Sequence, residues 1–446
     1  MGYVSRYGRK PQEPASKSSH VHIINDENVK AFLNSCNLPK TEDQILIDPK
    51  YLLELDPPEK NEINIIIAVD GGYTEVPVNK SFPSSTIAFF QYGALLLKIK
   101  DLEEMAESPF ISPEAIAKLK ELQRLKLVLP TKNISVKDSS SLTDSVRVTI
   151  YNFFKHEEDK GESMIETLKW FLFQKYDKER TDYQLASCPC CPNTRIVFKQ
   201  SEIKDDYTFR CPKCYKKLFL TDVFRFHEVV DNEIGAGGML GYLTNLVEQF
   251  IIIHTIRIIL KHKPDLLSQT LFIKDGPLAF FGQTANMHDP MRELIRFLIS
   301  KHDINLVGLE KSGAFVEHAD EIREILKPGQ ILLFSNKHIY KYILPGDPDN
   351  PEPYASTSYY SGKLIFKSRD EKIYVVTIPT LDKRVVMDPK PADFHNLHQI
   401  LVNIEKLRCD MYDNSLLPIA VVNKLVSLSN HPSAVLLEKF AKASHG

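Results

Sequence analysis

Asn64-Ile65-Ile66-Ile67-Ala68-Val69-Asp70-Gly71-Gly72 carries five consecutive apolar residues into an acid and two glycines. The β-branched run has the character of a strand buried on both faces. An ionised carboxylate at the end of such a strand needs a partner or a metal. The glycines permit a sharp turn and the close approach of another group. Thr270-Leu271-Phe272-Ile273-Lys274-Asp275-Gly276-Pro277-Leu278 repeats the pattern far downstream. Either Asp alone is explained by an Asx-turn closing a strand. Two core strands that both end in Asp-Gly instead predict one metal site at the carboxyl edge of a sheet.

Around this pair the chain reads as a mixed α/β sheet. Residues 85–98 form a second strand or hairpin arm beside the first, and later segments alternate between strand and helix. A helix over residues 289–302 followed by a strand over 304–310 implies parallel neighbours. Lys311-Ser312 closes that strand at the same edge. Residues 330–334, 363–367 and 372–378 supply further strands, 345–357 form a Pro-, Asp- and Asn-rich loop, and 417–424 lie in a closing helical region. At the other end, residues 1–20 are a polar tail, and 27–35 a short helix.

Between the two Asp-Gly motifs, residues 102–177 read as helical, opened by Ser112-Pro113-Glu114, with later helices over 142–154 and 163–174. Lys118, Lys120, Arg124 and Lys126 would make one solvated basic face. Then come Cys188-Pro189-Cys190-Cys191 and Cys211-Pro212-Lys213-Cys214. Two such pairs at ribbon-length spacing predict four tetrahedral zinc ligands, Cys188, Cys191, Cys211 and Cys214, with Cys190 able to replace a neighbour. Residues 195–198 and 207–210 fit the ribbon's strands, and four thiolates leave no open position, so this zinc is structural. Gly235-Ala236-Gly237-Gly238 lacks the spacing of a dinucleotide fingerprint and reads as a flexible approach to a helix over 239–262. That helix is apolar on nearly every face and hence buried, yet carries Glu248. Its helical neighbours are Thr244, Ile252 and Thr255, with Arg257 on the opposite side, so its partner must come from elsewhere, as a salt bridge or a metal.

The 446 residues allow two or three domains, drawn here as a tail and lead-in helix (1–60), first core part (61–101), helical insertion (102–186), zinc ribbon (187–216) and remaining core (217–446). Composition is that of a soluble globular protein, and a net charge of −2 supplies no bulk pull towards nucleic acid. The basic start lacks an apolar region, and the longest greasy run is too short and interrupted to span a bilayer. Five clustered cysteines point to metal in a reducing compartment. A cytoplasmic protein with no membrane association is expected.

An Asp on the first strand, a helical Glu and an Asp on a later strand make a carboxylate set for two divalent cations, which activate water and stabilise the leaving oxygen in phosphodiester cleavage. The set resembles the RNase H-like nucleases. Its order resembles the NurA nuclease family: Ala68-Val69-Asp70-Gly71-Gly72, a buried helical Glu, Lys274-Asp275-Gly276-Pro277-Leu278, then Val307-Gly308-Leu309-Glu310-Lys311-Ser312. The resemblance runs discontinuously from about residue 60 to 440, the ribbon being an insertion. It implies an RNase H-like mixed sheet flanked by helices, and a Mn²⁺- or Mg²⁺-dependent DNA nuclease acting on ends. It also implies a homodimer working with a HerA-like hexameric translocase in DNA repair or anti-phage defence. Asp70, Glu248 and Asp275 carry over as catalytic metal ligands, with Glu228 and Glu233 as nearby alternatives to Glu248, and Lys311 stands as a further catalytic residue. The family's Tyr-Pro…Ala-His pattern is replaced by Leu417-Pro418…Asn423-Lys424, with His431 further on. That departure leaves a second reading, a non-catalytic adaptor that loads the translocase onto DNA through the ribbon. A third, an actin-like phosphotransferase, would need another Gly-rich phosphate loop, which the sequence lacks.

Overall fold

The computed structural model describes residues 23, 25–36, 40–79, 83–101, 120–157, 162–382, 385–409, 414–428 and 433–443. The polar tail, the helix start at Ser112, Lys118 and His431 lie outside them. The chain divides after Ile45. The first unit holds helix α1 (Glu27–Ser35), whose N-cap Asp26 accepts from the N–H groups of Asn28 and Val29.

The second unit is built on a nine-stranded sheet. Its strands are β1 (Leu52–Glu54), β2 (Ile65–Asn79), β3 (Ser85–Lys98), β4 (Lys120–Lys132), β9 (Thr270–Asp275), β10 (Asn305–Glu310), β11 (Gln330–Leu333), β12 (Ser361–Lys367) and β13 (Ile373–Pro379). Around the ribbon, and reaching beyond its expected bounds of 187–216, lie two separate hairpins, β5 (Asp182–Ser187) with β6 (Thr194–Lys199) and β7 (Thr208–Arg210) with β8 (Lys217–Phe219). The sheet's order is β1-β11-β12-β13-β10-β9-β2-β3-β4. β2, β3 and β4 form an antiparallel meander, β9 lies parallel to β2, and β10 parallel to β9. Counted in chain order, these five strands stand 3-2-1-4-5, within the mixed sheet expected from the sequence. β13, β12, β11 and β1 extend it with antiparallel pairs.

Several expectations need correction. Residues 120–132, expected to be helical, form strand β4. Leu125, Leu127 and Leu129 are buried while Arg124, Lys126 and Val128 are exposed, a period of two that fits a strand with one covered face. Arg124 and Lys126 therefore belong to an edge-strand row, not a helix face. The second correction concerns β2, which does not end at Asp70 but pairs with β3 as far as Asn79. What ends there is the parallel partner: β9 matches β2 only up to Val69 opposite Lys274. Asp70 stands where the sheet opens.

Helices cover both faces of the sheet. On one side lie α2 (Leu142–Lys155), α3 (Met164–Leu172), α4 (Leu240–His262) and α5 (His288–His302), whose apolar residues join Ile67, Val69, Tyr92 and Leu127 in one core. On the other, α7 (Leu397–Lys406) and α8 (Leu417–Val426) pack on Ala68, Leu95, Ile273 and Val307. Between these helix groups in sequence comes α6 (Ala314–Glu321), and α9 (Ser433–Ala443) is the last described helix.

Against the expectation that its greasy run is too short, α4 is long and apolar enough to cross a bilayer, yet two-thirds of its apolar stretch is buried within the protein. Phe250, Ile251, Ile252, Ile253 and Ile256 are all buried, each contributing on the order of 2 kcal/mol. The lead-in to α4 is an ordered turn rather than the flexible one expected. Gly235 has φ +120° and exchanges backbone hydrogen bonds with Asp231, while Ala236 N–H donates to Thr131 O at 2.8 Å.

Candidate active site and cysteine cluster

β2, β9, β10 and α4 bring Asp70, Asp275, Lys311 and Glu248 together. Asp70 is only 3% exposed. Its Oδ1 accepts from Gly71 N–H at 2.8 Å, while Oδ2 has no hydrogen-bond partner among the described residues. A buried carboxylate oxygen left bare is costly unless a cation meets it. Burial, then the charges of Asp275 and Glu248, push the Asp70 carboxyl up to about 8, against the opposing pull of Lys311.

Asp275 ends β9, and Gly276 follows at φ +83°, a left-handed conformation that glycine takes without strain. Asp275 Oδ2 accepts from Lys311 Nζ at 2.7 Å. Lys311 follows β10 directly, so parallel pairing of β9 with β10 sets the two side by side. Glu248 is buried on α4, and its partner is Lys274 of β9, Nζ to Oε2 at 2.6 Å. Burial pushes the Glu248 carboxyl up to about 6, with the Lys274 charge holding it down. Lys274 Nζ also donates to Asp275 O at 2.5 Å. Three acids thus share two ammonium groups, and the unmatched carboxylate is Asp70.

The glycines serve close packing. A Cβ on Gly71 would lie 2.6 Å from the Tyr92 ring and 3.2 Å from Glu248 Oε1. A Cβ on Gly72 would lie 2.9 Å from Val426 O at the end of α8, so the closing helix reaches the strand that carries Asp70. Of the Glu248 alternatives, Glu228 is engaged elsewhere, with Arg225 and Ser187. Sequence reasoning left Lys274 without a role, although a lysine next to the strand-end Asp was the available signal.

Three carboxylates are hard oxygen donors suited to Mg²⁺ or Mn²⁺, and the bare Asp70 oxygen gives such an ion a place to bind. The fit is loose in one respect. Among the described residues, only the cysteine group brings three or more ligand atoms within 4.8 Å of one another.

That group is Cys188, Cys191, Cys211 and Cys214. Cys188 Sγ and Cys214 Sγ stand 3.9 Å apart, close to the ~3.8 Å edge of a tetrahedron with zinc–sulfur bonds of about 2.3 Å. Cys190 turns away, its Sγ 4.0 Å from Arg147 Nη1. Arg147 in turn makes a buried two-pronged bond to Asp222, both arms 2.8 Å, tying α2 to the turn after the ribbon. Phe198 and Phe209 stack at 4.1 Å inside the same apolar core as α2 to α4.

No family model matches the chain, and no curated protein matches it either. Among solved structures, one described only as NurA is 12% identical, covers 97% of this chain and 98% of its own, and has a TM-score of 0.30. NurA with manganese is 11% identical, covers 88% and 91%, and scores 0.27. The chain is similar over 96% of its length, and over 97% of the other, to the NurA nuclease from Sulfolobus solfataricus, at 8% identity and a TM-score of 0.38.

Proposed function

We propose that this protein is a divalent-metal-dependent deoxyribonuclease acting on DNA ends. The observation that carries the reading is the bare, buried Asp70 oxygen at the opening between β2 and β9, faced by Asp275 and Glu248. Asp70 and Asp275 would hold a Mn²⁺ or Mg²⁺ ion, with Glu248 as a third donor in exchange for Lys274. Such an ion supplies Lewis-acid stabilisation of charge on a phosphodiester and a more acidic water. Lys311 holds Asp275 in place and sets a positive charge at the mouth, where a phosphate would arrive. Lys274 keeps Glu248 ionised and fixes the Asp275 backbone.

Purified full-length protein with labelled linear DNA is expected to cleave it with added Mn²⁺ and not without. No cleavage under any divalent ion would favour the adaptor reading. With little bulk field to grip DNA, a homodimer tethered to a HerA-like hexameric ATPase would gain effective substrate concentration. The same assay run with that motor and ATP should be faster.

The cysteine cluster is read as a structural zinc site. Cys211→Ser is expected to take the metal from about one zinc per chain to none. Because Phe198 and Phe209 belong to the core of α2 to α4, thermal stability of the large unit should fall as well, not just the ribbon's. Elemental analysis of fresh wild-type protein showing no zinc would reject the site.

A further inference from the structure

The second cysteine knuckle has a surface that the fold does not use. Residues 210–217 read Arg-Cys-Pro-Lys-Cys-Tyr-Lys-Lys, with four basic residues and no acid in a chain of net charge −2. Lys217 is engaged by Asp206 at 3.4 Å. Lys213 and Lys216 are exposed and make no ion pair among the described residues.

Tyr215 stands between them, 69% exposed. Its φ is +62°, in the left-handed region that costs a bulky residue roughly 1–2 kcal/mol and costs glycine nothing. The turn is held from both sides: Tyr215 N–H donates to Cys211 O at 2.9 Å, and Arg210 Nη1 donates to Tyr215 O at 2.8 Å. A large aromatic ring is therefore kept in solvent at a position where glycine would fold better. Packing gives no reason for it.

We propose that this knuckle binds single-stranded nucleic acid, Tyr215 stacking on a base while Lys213 and Lys216 meet phosphates. An exposed ring on a braced turn, flanked by ammonium groups without ion pairs among the described residues, matches the alternation of base and phosphate along an unpaired strand. An acidic protein partner would be held by the charges alone and gives no use for the strained ring. The inference rests on the nuclease reading only in taking DNA as the polymer.

The test is fluorescence anisotropy of a labelled single-stranded DNA oligomer on full-length protein, in an Asp70→Asn background to prevent digestion. Tyr215→Gly should keep its zinc and melt no lower than its parent, yet bind about tenfold more weakly. Tyr215→Phe should bind as the parent does. Lys213→Ala with Lys216→Ala should flatten the slope of log affinity against log salt by about 1.4, or about 0.7 per lost phosphate contact. Unchanged affinity in Tyr215→Gly would overturn the proposal. So would displacement of the DNA by polyglutamate at equal charge concentration. Cleavage by wild type in Mn²⁺ is scored separately. Tyr215-dependent binding without cleavage sinks the nuclease reading alone, and cleavage without Tyr215 dependence sinks this one alone.

Discussion

Asp70→Asn is expected to cut Mn²⁺-dependent cleavage on the order of a thousandfold or more while making the metal-free protein more stable at pH 8. The loss follows from removing the one carboxylate whose oxygen is bare and buried. The gain follows from its raised pKa. An unfolded Asp titrates near 4, while the folded carboxyl is pushed up to about 8. A group raised in this way stabilises fully below its unfolded value, and that contribution is lost as pH climbs through the folded one. The window is therefore pH 4 to 8, and the contribution at stake is at most about 5 kcal/mol, since the neighbouring acids share it. Asparagine keeps the size and removes the charge. The check is a pair of melting curves at pH 6 and pH 8 without Mn²⁺, beside the cleavage assay. The variant should lead wild type by more at pH 8 than at pH 6. A variant that cleaves like wild type, or that trails it in stability at pH 8, would show that Asp70 holds no ion and bears no strain of charge.

How much of this could be read from the sequence depended on how local each signal was. The Asp-Gly strands, the apolar helix and the paired cysteines announce themselves within a few residues. They led to Asp70, Asp275, Glu248 and the four-thiolate cluster that the fold then assembles. The strand order was out of reach, because pairing between strands distant in the chain leaves no local signal in the sequence. β4 was misread because Arg124-Leu125-Lys126-Leu127-Val128 alternates only briefly, and its buried face depends on α2 and α3 arriving later in the chain. The end of β2 was misplaced for a related reason. Glycines after an acid look like a turn, whereas here they make room for Tyr92, Glu248 and the end of α8. The partner of Glu248 was out of reach because it lies on another element. Sequence spacing excluded a cation at pairing distance from Glu248 within α4 but does not give the register of β9 against it.

That partner is where the second large effect lies. Lys274 is buried with Glu248, and a buried pair broken from one side leaves an uncompensated charge. Lys274→Met should therefore destabilise the metal-free protein by about 3–5 kcal/mol. Methionine fills much of the lysine stem's volume, so most of that cost is electrostatic rather than a cavity. Added Mn²⁺ should then raise the melting temperature of Lys274→Met more than that of wild type, because Glu248 is free to donate and the ion replaces the missing ammonium. Lys274→Met with Glu248→Gln separates the two causes. The double variant should recover most of the metal-free stability and lose the extra response to Mn²⁺, a coupling that neither single change reports. Equal Mn²⁺ shifts in wild type and Lys274→Met would mean that Glu248 never exchanges its lysine for an ion. The cation-binding set would then shrink to Asp70 and Asp275, leaving Glu248 and Lys274 as a structural pair that holds α4 against β9.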